Sequence, residues 1–97
     1  MPEPTQRLLR RIRADFAPGT AEEVIRRLRA LSEERFGGQD AGRIQAALVV
    51  QSGGSWSYFM DGLGLLEQDW RDVLVSGGLA DQDWTDVLSR ELGDFGT

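Results

Sequence analysis

The stretch LLEQDWRDVLVSGG (65–78) runs straight into LADQDWTDVLSREL (79–92), and the two 14-residue blocks carry the same residue at seven positions. The pairs are Leu65/Leu79, Gln68/Gln82, Asp69/Asp83, Trp70/Trp84, Asp72/Asp86, Val73/Val87 and Leu74/Leu88. Asp-Trp-x-Asp reads mechanically as the start of a helix. The first aspartate is the N-cap, Trp is the first helical residue, and the second aspartate meets the free N–H groups and the positive helix end. Val and Leu then face inward beside Trp. Gly77-Gly78 separates the copies and Gly93 ends the second, so the spacing predicts two short helices at an angle, over 69–76 and 83–92. Two copies are too few for a solenoid, which needs about three. Gln68 and Gln82 precede the caps and serve no helical demand. They and the edges of Trp70 and Trp84 are the candidate partner-binding residues, against the plainer reading of both tryptophans as core. If one tryptophan is exposed, its place nearest the C-terminus makes Trp84 the candidate.

Working back toward the N-terminus, Trp56, Phe59, Met60, Leu63 and Leu66 share a helical face over 55–67, capped by Ser55 or Ser57. Gly62 and Gly64 lie inside it, each costing ~1 kcal/mol against alanine. They imply either a close helix crossing or a break. Asp40 caps a segment over 40–52 that is apolar over most of its circumference, which marks a central helix. A strand over 44–51 is the alternative, opposed by the alanines and the lack of alternation. Thr20 and Glu23 fit a capping box for a helix over 20–35, with Glu22–Arg26 and Glu23–Arg27 in the favourable i,i+4 order. Leu8, Leu9, Ile12 and Phe16 recur among Arg7, Arg10, Arg11 and Arg13, a basic amphipathic helix over 5–17 that Pro18-Gly19 ends. No strand candidate survives. The expectation is a single all-α domain over 1–97, a small bundle of five or six helices with glycine-marked turns and a tandem C-terminal repeat.

Composition then limits the chemistry. The 97 residues include no Cys and no His. That removes disulfides, thiol nucleophiles, zinc sites of the usual kind and the commonest general acid–base residue. Asp81, Asp83 and Asp86 fail the calcium-loop rule, which needs Gly where Asp86 stands and Glu where Leu92 stands. The glycines of 37–42 lack the Lys-Ser/Thr of a phosphate loop. Asp94-Phe95-Gly96 spells a kinase metal motif with nothing else of that fold around it. No catalytic residue, cofactor or metal is expected.

All eleven basic residues are arginine. Codon bias in a GC-rich, bacterial genome accounts for this, and use of the guanidinium fork is the sharper alternative. Residues 1–36 hold eight Arg against six acids, and residues 37–97 hold three against ten. An acidic half keeps a chain soluble and repels nucleic acid. There is no apolar run of membrane-spanning length and no signal-peptide core, so the expected compartment is the cytoplasm, without membrane contact.

The segment 24–63 (VIRRLRAL, then Phe36-Gly37, Ile44, Ala47-Leu48, Gly53-Gly54, Phe59 and Leu63) loosely resembles a ubiquitin-associated domain. The resemblance implies a three-helix bundle that binds ubiquitin through a Gly-Phe loop and its third helix. The order Met-Gly-Phe is absent, and Phe36 precedes its glycines. The expected function is a non-catalytic protein-interaction or regulatory module whose partner is another protein or a second copy of itself. The alternative is a nucleic-acid-associated protein using Arg7, Arg10, Arg11 and Arg13.

Overall fold

A computed structural model describes residues 3–93, apart from the side chain of Arg35. Pro2 and the Asp94-Phe95-Gly96 motif lie outside the described residues. Among those residues the fold is all-α with six helices and no strand: α1 (Gln6–Asp15), α2 (Pro18–Arg29), α3 (Ala41–Ser52), α4 (Trp56–Gln68), α5 (Trp70–Ser76) and α6 (Trp84–Leu92). A 3-10 turn, Glu33–Phe36, lies between α2 and α3.

The apolar circumference of α3 makes it the hub. Ile44, Ala47, Leu48 and Val49 are wholly buried, and α3 packs against α4, α5, α6 and the 3-10 turn. Asp40 caps it, accepting the Arg43 N–H at 3.2 Å. The strand alternative over 44–51 is therefore excluded.

The glycines of α4 divide between the two roles open to them. The helix runs unbroken through both. A Cβ on Gly62 would stand 3.1 Å from Leu48 Cδ2 and 2.5 Å from Gln51 Nε2, so α4 crosses α3 closely here. A Cβ on Gly64 would meet nothing within 4 Å. Gly77 is the tighter crossing. Its Cβ would stand 2.6 Å from the Cα of Ala47, against backbone that has nowhere to go.

Two expectations at α2 are corrected. The helix starts at Pro18, with Ala17 as N-cap, so Thr20 sits inside the first turn and forms no capping box. Pro18 at the first helical position has no N–H to satisfy and a φ already set for a helix. The helix also stops at Arg29, not near 35. Phe36 explains this. It is 1% exposed, and the chain leaves the helix to turn its ring into the core through the 3-10 segment. Of the two expected ion pairs, Glu23–Arg27 forms and Glu22–Arg26 does not. Glu23 takes both Arg26 and Arg27, while Glu22 reaches across to Arg13 of α1 at 3.5 Å.

The repeat folds as two separate helices whose starts differ. Asp69 is a single-residue corner. Its N–H bonds Leu65 O at 2.8 Å to close α4, and its carboxylate accepts the Arg71 N–H at 2.9 Å to open α5. Asp83 opens α6 with no side-chain cap, which corrects the capping expected there. The turn before it is closed by backbone instead, with Trp84 N–H on Asp81 O at 3.1 Å. The inward leucines do repeat, Leu74 and Leu88 being buried at 3% and 5% exposure, whereas Val73 is buried and Val87 only half-buried.

Candidate functional site

Each tryptophan is half-buried and carries a guanidinium over its ring. Arg27 lies 5.7 Å from the centroid of Trp56, Arg43 5.0 Å from Trp84, and Arg71 5.1 Å from Trp70. All are within the ~6 Å at which a cation is drawn to a ring face. Trp84, the candidate for exposure by its place near the C-terminus, is thus half-buried like the other two. Among the described residues, the large apolar side chains that do face solvent are Tyr58 and Val75, at 60% and 66% exposure.

Val75 is the useful one, because it borders a groove of about 330 Å³. One wall is α5, which places Trp70, Arg71, Leu74 and Val75 along it. The other is formed by Arg43 at the start of α3, with Ala80 from the α5–α6 connection. Trp70 is fixed by Gly37. A Cβ there would overlap the indole, and the left-handed φ of 60° at Gly37 already favours glycine. Arg43 is fixed as well: its Nε donates to Leu79 O at 2.8 Å and its Nη1 to Gln39 Oε1 at 2.7 Å. Arg71 is looser, with its side chain 72% exposed and 3.9 Å from Asp69.

Trp84 lies across Arg43 from this groove and lines a second depression of about 210 Å³ with Asp40, Thr85 and Leu88. Arg43 thus links the two tryptophans of the repeat, lining the groove of one and stacking on the other. Gln68 ends α4 and Gln82 lies in the turn before α6. Both are exposed, and neither lines these two depressions.

The arginines of α1 divide by helix face. Arg7, only 6% exposed, donates to Gly93 O at 3.0 Å. Arg11 donates to Glu91 O at 2.5 Å and to Asp15 Oδ2 at 2.7 Å. Both cations therefore sit at the C-terminus of α6, where free carbonyls and the negative helix end favour positive charge. Burial works against the charge of Arg11, but its bonds to Asp15 and Glu91 outweigh that and raise its pKa above the ordinary arginine value. Arg10 and Arg13 face outward. The basic helix is therefore half structural staple.

Phe36, the residue on which the ubiquitin-associated resemblance places contact, is buried and cannot reach a partner. Asp72, Asp83 and Asp86 are exposed, and Asp69 is half-buried as a cap. Among the described residues no three acidic side chains are placed to hold a metal ion, and no helix is long and apolar enough to cross a membrane.

Of the residues lining these depressions, sequence reasoning singled out Trp70 and Trp84 and not Arg43, Val75 or Ala80. Arg43 had one visible signal, as a lone cation opening an apolar helix. Its partners lie 36 and 41 positions away, at Leu79 and Trp84. Comparison with protein-family models, with curated proteins and with solved structures yields no match.

Proposed function

We propose that this protein is a small, non-catalytic interaction module acting in the cytoplasm, and that it binds a protein partner at the groove beside Trp70. The observation that carries the reading is the exposure of Val75, at 66%, next to a half-buried tryptophan and a groove with no carboxylate in its lining. Tryptophan and arginine are the residue types most enriched where binding energy concentrates. Here Trp70 and Arg43 are held in place before any partner arrives, which lowers the ordering cost of association. The nucleic-acid alternative gains little from the structure, since Arg7 and Arg11 are spent on the end of α6.

The test is capture from nuclease-treated lysate of the source cells on immobilised wild-type chain and on Val75→Glu. A stoichiometric protein retained by the wild type and lost by the variant is the expected result. Equal capture by both would remove the groove from the reading. Retention of nucleic acid alone from untreated lysate would overturn it in favour of the arginine helix.

A further inference from the structure

Residues 37–97 hold ten acids and three arginines, yet two of those three, Arg43 and Arg71, line this one groove. The groove is thus a cationic, partly apolar site on the acidic half of the chain. Its two guanidinium groups differ in availability. Arg43 is tied to Leu79 O and Gln39 and stacked on Trp84. Arg71 lies over Trp70, with one distant carboxylate at 3.9 Å and most of its side chain in water. A guanidinium lying over an indole face still has its edge donors, and a guanidinium edge takes a carboxylate by two parallel hydrogen bonds. Leu74, Val75 and Ala80 supply apolar surface beside it.

We infer that the groove takes an acidic peptide segment, an apolar side chain seated against Leu74 and Val75 with a neighbouring Asp or Glu on Arg71. This rests on the interaction-module reading and adds the chemistry of the partner. Charge complementarity favours such a segment: the rest of the acidic half would repel it, so productive encounter is confined to the groove. A basic segment would be drawn to the remaining acidic surface and would meet two like charges here.

The experiment is selection from a phage-displayed library of random short peptides on the full chain, followed by fluorescence anisotropy with the recovered peptides. Two variants accompany it. Arg71→Glu reverses the charge at an exposed site in the first turn of α5, where a carboxylate suits the helix end, and a thermal melt of the variant checks that it folds. Arg71→Gln removes the charge without reversing it. Peptides pairing Asp or Glu with an adjacent apolar residue, weakened at least about tenfold by Arg71→Glu and less by Arg71→Gln, are the expected result. Neutral apolar peptides bound equally by all three chains would overturn the acidic-partner inference and leave the interaction module standing. No enrichment, or peptides bound equally by Val75→Glu, would overturn both. A dimer in sedimentation analysis that Val75→Glu dissociates would replace the peptide by a second copy of the chain.

Discussion

The repeat offers an internal control, because Asp69→Ala and Asp83→Ala delete the same residue from the same local sequence. Asp69 accepts the Arg71 N–H at 2.9 Å, and Asp83 makes no capping bond. Loss of a working N-cap costs about 1 kcal/mol, with a range of roughly 0.5–2. The backbone of Asp69, at φ −161°, is extended and suits alanine equally well, so no strain enters. Asp83 retains only its charge near the positive end of α6, worth about 0.3–1 kcal/mol at an exposed site and less in salt. In moderate salt Asp69→Ala should therefore lose about 1 kcal/mol and Asp83→Ala less than about 0.5. In a domain of this size the first value lowers Tm by about 4–8 °C. Urea titration of both variants and of Asp69→Asn, which keeps an accepting oxygen, separates cap from charge. Equal losses at the two positions, or an Asp69→Asn as unstable as Asp69→Ala, would refute the assignment.

Two glycines should respond to alanine with opposite sign. Gly77→Ala drives a Cβ to 2.6 Å from Ala47 Cα and should cost about 1–3 kcal/mol, as overpacking does, whereas Gly64→Ala in open helix should gain about 0.4–1 kcal/mol; thermal melts of both decide. Arg43→Lys keeps the charge but cannot serve Leu79 O, Gln39 and the Trp84 face together, so it should lose about 1–2 kcal/mol while the same change at exposed Arg90 loses nothing measurable. On acidification, hydrogen bonds from Arg29 hold the Glu3 carboxyl, and those from Arg26 and Arg27 hold Glu23, below the usual value of 4.5. The unfolded chain therefore takes up protons first. Stability from these pairs is full above pH 4.5 and falls as pH drops through their folded values, a loss that high salt should blunt and that melts across this window would show.

Helices were legible wherever one face of one segment decided the matter. The circumference of α3, the stripe of α4 and the Asp-Trp start of α5 all depend on neighbours within a few residues. What failed depended on distance. The end of α2 is set by Phe36 finding the core, which a periodic stripe through Leu31 and Phe36 cannot distinguish from more helix. The start of α6 has the residues of a cap, but Asp83 sits at φ −85° and ψ 17° rather than in the extended conformation of Asp69, so its carboxylate misses the N–H that Asp69 reaches. The groove was half legible. Trp70 could be named from its motif, but Arg43 and Val75 acquire their place only when α3, α5 and the α5–α6 connection meet.

The arginine-only composition gains a physical reading from the same contacts. A genomic bias would account for the missing lysine but not for where the guanidinium groups are put. Arg11 donates Nε to a side chain of its own helix and Nη1 to a backbone carbonyl 80 positions away. Arg43 donates Nη1 to the side chain of Gln39, just before its helix, and Nε to the Leu79 carbonyl, while stacking on Trp84. Each joins two elements by using two edges of one rigid plane, which an ammonium on a flexible stem does less well. In a chain without disulfides, and with an α5 of only seven residues, such bridges hold the first helix to the last and α3 to the α5–α6 connection. They also set what is left for a partner. Arg7, Arg11 and Arg43 are committed to the fold, so a carboxylate approaching the groove meets Arg71 as the cation stacked on a tryptophan and facing water. That is why charge reversal at Arg71, and not at the arginines of α1, is the perturbation that separates recognition from folding.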